Sequence, residues 1–251
     1  MLIDYFFVAG AQRSGTTYLY RLLAEHPEIE MAQPLRPEPK FFLIDTLFEQ
    51  GLPSYKKRFF EGKAGAWLRG EKSTSYMESE KAAKRIASCF PAAKILFLLR
   101  DPIERAISNY WFSVNNGLET LSMAEAFLQE EARWLDFNPE HVSVSPYAYL
   151  RRGRYIDYIS IYERYFPAEN IKTMLYEQLV RSENFIQNLY TFLRVANDFR
   201  PSILDQAVNK GNEPSSLLSA KLRRYLQDYF AEPNACLAER FGLDLAEWRQ
   251  L

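Results

Sequence analysis

Tyr5 to Ala9 is a short apolar run closed by Gly10, and Tyr18, Leu19, Leu22 and Leu23 then recur at helical spacing until Pro27. A strand, a turn and a helix are predicted. In residues 28–66 the pattern breaks: Pro34, Pro37, Pro39 and Pro53 punctuate a segment with few strand signals, where Tyr55 to Phe60 reads as a helix. Such long excursions often carry function. A second strand is predicted near Ala66 to Gly70, then a helix from about Ser79 to Cys89 that Phe90 and Pro91 end. The run Lys94-Ile95-Leu96-Phe97-Leu98-Leu99 has the pattern of a strand buried on both faces, as in a parallel sheet. Asp101-Pro102 supplies a helix cap and a first-turn proline, and Ile103, Ala106, Ile107, Tyr110, Trp111 and Val114 form one stripe. That stripe reads as core rather than as an aromatic binding box.

Further helices are predicted at about 122–134 and 153–165, a strand at Ile171 to Tyr176, and a helix at about 183–193. A last helix, from about Ser215 to Phe230, carries Leu218, Leu222, Tyr225, Leu226 and Tyr229 on one side. Strands alternating with helices imply an α/β fold of three layers: a mostly parallel central sheet with helices on both faces and right-handed crossovers. No repeat or linker divides the chain, so residues 1–251 are expected to form a single domain.

Charge then narrows the partners. Lys plus Arg is 31 against 32 for Asp plus Glu, so no basic excess argues for nucleic acid or a membrane surface. Any anion site must be local. No basic leader precedes a long apolar run, which predicts no membrane insertion. Cys89 and Cys236 lie far apart and outside any metal-ligand spacing. Both are expected to be buried thiols of a protein in a reducing cytoplasm.

The candidate chemistry begins at Gly10-Ala11-Gln12-Arg13-Ser14-Gly15-Thr16-Thr17, between the first strand and its helix. Such a turn aims backbone N–H groups and a helix N-terminus at an anion, although a plain strand-to-helix turn has the same outline. A nucleotide-triphosphate loop would end in Gly-Lys-Ser/Thr, with the lysine on the outer phosphates and the hydroxyl on magnesium. Here Thr16 stands in the lysine position, and the cation is Arg13 inside the loop. That arrangement suits a group of lower charge, such as a phosphosulfate, whose terminal sulfuryl is a monoanion needing no metal. Arg100 follows the predicted central strand at the edge where open α/β sheets bind ligands. Ser108, seven residues past Asp101, returns to the same side of the next helix. The two could converge on a phosphate; an arginine paired with a nearby acid is the alternative.

Together GAQRSGTTYL and LLRDPIERAISNYW resemble the 5′-phosphosulfate loop and the 3′-phosphate segment of the sulfotransferases that use 3′-phosphoadenosine 5′-phosphosulfate (PAPS). Glu38-Pro39-Lys40-Phe41-Phe42 is similar to the K-E-x-x-F-F segment of the heparan-sulfate type and its bacterial relatives. Gly70-Glu71-Lys72-Ser73-Thr74-Ser75-Tyr76 is similar to their G-E-K-[ST]-P-x-Y segment. Phe166-Pro167 and Tyr176-Glu177 extend the likeness, which covers roughly residues 5–194. Three departures stand out: Pro37 precedes Glu38 in place of lysine, Thr74 replaces proline, and Arg13 replaces the lysine of many members.

The resemblance implies in-line sulfuryl transfer from PAPS to a hydroxyl or amine of a small-molecule or saccharide acceptor, leaving adenosine 3′,5′-bisphosphate. It implies Glu38 as base, and Lys72 and Arg13 as stabilisers of the sulfuryl and leaving oxygens. Gly10, Gln12, Arg13, Ser14, Gly15, Thr16 and Thr17 would hold the 5′ side of the donor, Arg100 and Ser108 its 3′-phosphate. The disulfide-bounded cofactor loop of the family's animal glycan enzymes is not evident, and Asn209-Lys210-Gly211 would do its work. No metal is expected. His141 is a rival base; His26 and Glu71 are expected to be structural. The competing readings are a magnesium-dependent nucleotide kinase or hydrolase, and a nucleotide-binding module without catalysis.

Overall fold

In the computed structural model, which describes residues 4–133, 145–182, 184–205 and 218–249, the first half of the chain carries four of the five strands. In chain order these elements are β1 (Asp4–Gly10), α1 (Thr16–Glu25), β2 (Ile29–Met31), α2 (Asp45–Phe48), α3 (Gly51–Phe59), β3 (Leu68–Lys72), α4 (Glu80–Cys89) and β4 (Lys94–Leu99). There follow α5 (Pro102–Asn115), α6 (Met123–Leu128), α7 (Glu130–Arg133), α8 (Tyr155–Glu163), β5 (Ile171–Leu175), α9 (Tyr176–Arg181), α10 (Phe185–Leu193) and α11 (Ala220–Phe241). Short 3-10 turns fill several joints, among them Thr74–Tyr76 directly after β3.

The five strands form one sheet in the order β2-β3-β1-β4-β5, and every pairing is parallel. Period-two alternation explains why both faces are covered. Phe6, Val8, Leu96 and Leu98 pack with Leu19, Leu22 and Leu23 of α1 and with Ile186, Leu189 and Leu193 of α10. Phe7 meets Phe42 and Phe90 at ring separations of 5.5 and 5.9 Å, and Phe97 meets Tyr162 of α8 at 5.1 Å. The layered parallel α/β class is therefore the one the sequence pattern implies.

The chain resolves into two compact units, Met1–Leu99 with Ser160–Asn209, and Arg100–Ile159 with Lys210–Leu251. The first holds the whole sheet. The second is helical, with Ile103, Ala106, Ile107 and Tyr110 of α5 packed on Phe127, Tyr149, Leu222, Leu226 and Phe230. α5 starts at the expected cap, where Asp101 Oδ1 accepts from the Ile103 and Glu104 amides at 2.7 and 3.1 Å, and at the start of α6 Ser122 with Glu125 forms a capping box.

Several boundaries differ from the sequence reading. The second long strand lies at Leu68–Lys72 instead of 66–70, because its polar end is buried and satisfied by side chains distant in sequence. The helix expected at 55–60 starts four residues earlier, at Gly51. β2, α2 and α9 have no counterpart in the sequence pattern, and the helix expected at 122–134 breaks at Gln129. The last helix runs to Phe241 through Pro233, past its expected end at Phe230. It begins at Ala220 after the cap Ser219, and the expected start at Ser215 falls outside the described residues. Both cysteines depart from expectation, since Cys89 is only partly buried and Cys236 is exposed. Cys236 lies one turn from Glu232 on α11, at 3.5 Å from its carboxylate, on a polar stretch of that helix.

Candidate functional site

β1 is the point where the connections diverge: its own leads towards β2 on one side, and β4 leads towards β5 on the other. Ligands of open α/β sheets bind at the carboxyl edge beside such a point. The loop after Gly10 emerges there. Arg13 and Gly15 take left-handed conformations, with φ of 68° and 83°, which bends the chain sharply into α1. Gly15 is the N-cap of α1 without a side-chain capping bond, and the first turn holds no acidic residue. Its carbonyl accepts from Tyr18 and Leu19, while the Thr16 and Thr17 amides have no acceptor within the helix. Ser14 is fully buried, and among the described residues its hydroxyl has no hydrogen-bond partner. An orphan hydroxyl beside an uncapped helix end fits an anionic group seated in the loop.

On the strand next to β1, Lys72 ends β3 in register with Val8. Lys72 is only 4% exposed, so its ammonium needs a partner. Glu38 supplies it: Lys72 Nζ donates to Glu38 Oε1. The Thr74 amide donates to Oε2 at 2.8 Å, and the Thr74 hydroxyl lies 3.0 Å from each carboxylate oxygen. The fold thus joins two of the expected catalytic residues, and adds Thr74, which sequence reasoning had noted only as a departure from a motif. A proline at that position would have no N–H to give.

Glu71 faces the opposite way from Lys72 along β3 and is 1% exposed. It accepts from Tyr55, Ser73 and Tyr76 hydroxyls at 2.7, 2.7 and 2.6 Å. Ser73 Oγ in turn accepts from the Lys40 amide at 2.9 Å, and Tyr76 OH from the Phe42 amide at 3.0 Å. Burial pushes the Glu71 carboxyl up to about 7; the three hydroxyls oppose that shift, and the Glu38 charge adds to it. A folded value above the ordinary 4.5 means that the native state binds this proton more tightly than the unfolded chain. Its stabilising contribution is full below about 4.5 and is lost as pH rises through about 7. The expectation of a structural hydrogen bond at Glu71 holds.

In the second unit, Arg100 directly precedes the Asp101 cap, and its guanidinium lies 3.3 Å from Glu104. Its carbonyl accepts from Tyr155 OH at 2.8 Å. Ser108 is buried within α5. Of the histidines, His26 is buried, with Nε2 at 2.9 Å from the Ala196 carbonyl and Nδ1 accepting from the Glu28 amide at 3.1 Å, a structural arrangement. His141, Lys210 and Gly211 lie outside the described residues. Among the described residues, no helix is long and apolar enough to cross a membrane.

A parallel sheet with a glycine-bearing turn after its first strand, and a carboxylate and ammonium paired at the neighbouring strand end, has the layout of an α/β fold with a phosphate-loop-like core. The sequence profile of the sulfotransferase domain matches residues 4–211, and the chain belongs to the sulfotransferase family. The crystal structure of a sulfotransferase from Alicyclobacillus acidocaldarius superposes with a TM-score of 0.81 at 28% identity, covering 100% of both chains. Human heparan sulfate glucosamine 3-O-sulfotransferase 6 is 28% identical over 176 residues, which are 69% of this chain and 46% of that protein. The Dictyostelium discoideum membrane-associated sulfotransferase kil1 is 34% identical over 111 residues, 43% of this chain and 23% of that one. The chain thus spans less than half the length of these two curated relatives.

Proposed function

We propose that the chain transfers the sulfuryl group of PAPS to a hydroxyl or amine of a saccharide acceptor, with Glu38 as base. The acceptor atom forms its bond to sulfur as the bond between sulfur and the bridging phosphate oxygen breaks. Adenosine 3′,5′-bisphosphate departs with that electron pair, and the acceptor proton passes to Glu38. Family membership supports the reaction class, and the likeness to the heparan sulfate glucosamine 3-O-sulfotransferase supports a saccharide acceptor. The observation that carries the reading is the Lys72–Glu38–Thr74 cluster at the strand beside the loop.

A free carboxylate would repel an incoming sulfuryl anion. Lys72 offsets that repulsion in the resting pair and offers the cation that a leaving oxygen needs, while the two Thr74 contacts keep Glu38 in place. Arg13 and the amides of residues 14–17 would hold the 5′-phosphosulfate, with the orphan Ser14 hydroxyl as one further donor. Arg100 and Ser108 would take the 3′-phosphate, Arg100 exchanging its long contact with Glu104 for the stronger anion. No carboxylate in this scheme is set aside for magnesium.

The test is release of adenosine 3′,5′-bisphosphate from PAPS, with a chelator present throughout, using a heparosan oligosaccharide or its N-deacetylated form as acceptor. Sulfation of either is the expected result. Donor consumption no faster than without saccharide would sink the acceptor assignment, and a requirement for magnesium would sink the metal-free scheme.

Donor binding gives two further expectations, both read by calorimetry. Arg100→Ala should lose most of the preference for adenosine 3′,5′-bisphosphate over adenosine 5′-monophosphate, since a charge-assisted contact contributes about 1.5 to 3 kcal/mol. Equal affinities of the parent for both nucleotides would remove Arg100 from the site. Gly15→Ala would set a Cβ 2.5 Å from the Tyr176 ring at a φ of 83°. Left-handed backbone costs a residue with a Cβ about 1 to 2 kcal/mol, so the loop should deform and nucleotide affinity fall about tenfold or more. Unchanged affinity would mean that the bisphosphate does not rest on this loop.

A further inference from the structure

We propose that Glu71 is a positioning residue for Glu38, serving as the shared acceptor that locks the backbone just after the base. The role rests on the reaction proposed above, because only that reaction makes the place of Glu38 matter. Nothing in that chemistry uses Glu71, yet its burial and its three hydroxyl donors make it the most elaborately satisfied carboxyl group near the base.

The directions of the four bonds through Ser73 and Tyr76 are forced. Backbone N–H groups only donate, so Ser73 Oγ and Tyr76 OH must accept from Lys40 and Phe42. Each hydroxyl then has one proton left, and both point to Glu71 Oε1, at 2.7 and 2.6 Å. Position 71 must therefore present an oxygen that accepts twice. Two parallel relays, one through Ser73 and one through Tyr76, run from that oxygen to the main chain two and four residues past Glu38.

The backbone there needs holding. Lys40 has a φ of 50°, a left-handed conformation that a residue with a Cβ adopts only when its surroundings impose it. Its carbonyl accepts from Leu43 and Ile44 at 3.0 and 3.1 Å, and its amide is the one that Ser73 receives. Pro39 fixes the φ between Glu38 and this turn. With both sides set, little freedom remains to move the Glu38 carboxylate away from Lys72 and Thr74.

The oxygen matters here, and the charge does not. Tyr55 on α3 faces Oε2, Ser73 and Tyr76 face Oε1, and Glu38 is the neighbouring charge. If Glu71 takes a proton on Oε2, Tyr55 OH can reverse from donor to acceptor while Oε1 keeps both relays. A carboxyl pushed up to about 7 has that neutral form within reach near neutrality. Glutamine reproduces the neutral arrangement, with its carbonyl at Oε1 and its amide towards Tyr55.

The experiment compares Glu71→Gln, Glu71→Leu, Tyr76→Phe and Tyr55→Phe in the full chain. It reads amide hydrogen exchange at Lys40 and Phe42, affinity for adenosine 3′,5′-bisphosphate, and single-turnover sulfation of a heparosan oligosaccharide. Glu71→Gln and Tyr55→Phe should stay within about threefold of the parent rate, because both keep the relays. Glu71→Leu and Tyr76→Phe should lose about tenfold or more in rate, expose the Phe42 amide to faster exchange, and keep nucleotide affinity within about twofold. Should Glu71→Leu fail to fold, Tyr76→Phe alone decides the matter. Parental turnover and Phe42 exchange in Tyr76→Phe would overturn the proposal, as would a Glu71→Gln variant that folds but is as slow as Glu71→Leu. A parent that sulfates no saccharide would instead defeat the acceptor assignment, and the exchange rates would still report whether Glu71 locks the segment.

Discussion

Replacing Lys72 with methionine is expected to slow sulfuryl transfer by about 10²- to 10³-fold, the usual cost of removing one cation or donor aimed at charge that develops in the transition state. Methionine keeps the unbranched stem that fills the end of β3, so the loss is confined to the ammonium. The Lys72 side chain is 4% exposed and its ammonium meets Glu38, which places the charge in poorly screened surroundings where it counts most. The variant also leaves Glu38 with Thr74 alone, and a modest fall in melting temperature should accompany the loss of rate. Lys72→Arg should recover only part of it, because a planar guanidinium cannot take the place of a compact ammonium at an enclosed strand end. Single-turnover rates at saturating PAPS separate chemistry from binding. A near-parental rate in the folded methionine variant would transfer leaving-group stabilisation to Arg13.

Glu38→Gln should slow the same step by about 10²-fold or more, since the amide keeps the shape and loses the basicity. Its carbonyl can still accept from the Thr74 amide, which holds the side chain in place. Donor affinity is expected to stay within about twofold, a margin of roughly 0.4 kcal/mol, because the proposed donor contacts lie in the loop and at Arg100 and Ser108. His141→Ala should do little by comparison. Near-parental chemistry in Glu38→Gln with collapse in His141→Ala would reassign the base. The two catalytic-site variants should not be additive, because Lys72 and Glu38 are direct partners.

What could be read from the sequence was local. The β1–loop–α1 and β4–α5 units are contiguous stretches whose apolar periodicity, glycines and caps sit within a few residues of each other, so no tertiary information was needed to find them. The turn after β1 was legible for the same reason: Gly10 to Thr17 are consecutive, and its shape depends on the chain's own bend. Motif likeness reached further, marking Glu38 and Lys72 as separate candidates.

Only the tertiary structure decided how they meet. Lys72 and Thr74 reach Glu38 across 34 and 36 residues, and Tyr55 reaches Glu71 across 16, distances over which no periodicity carries information. The end of β3 was not legible on the same account, because Glu71 and Lys72 lie past its apolar run and the partners that satisfy them are distant in sequence. The pass of α11 through Pro233 is likewise tertiary: that ring is buried, and packing of the surrounding turns outweighs the backbone bond it removes. Sequence by itself determined the elements whose stabilising contacts are near neighbours in the chain. Folding decided the rest, since a buried charge is tolerable only where the three-dimensional path of the chain delivers its partner.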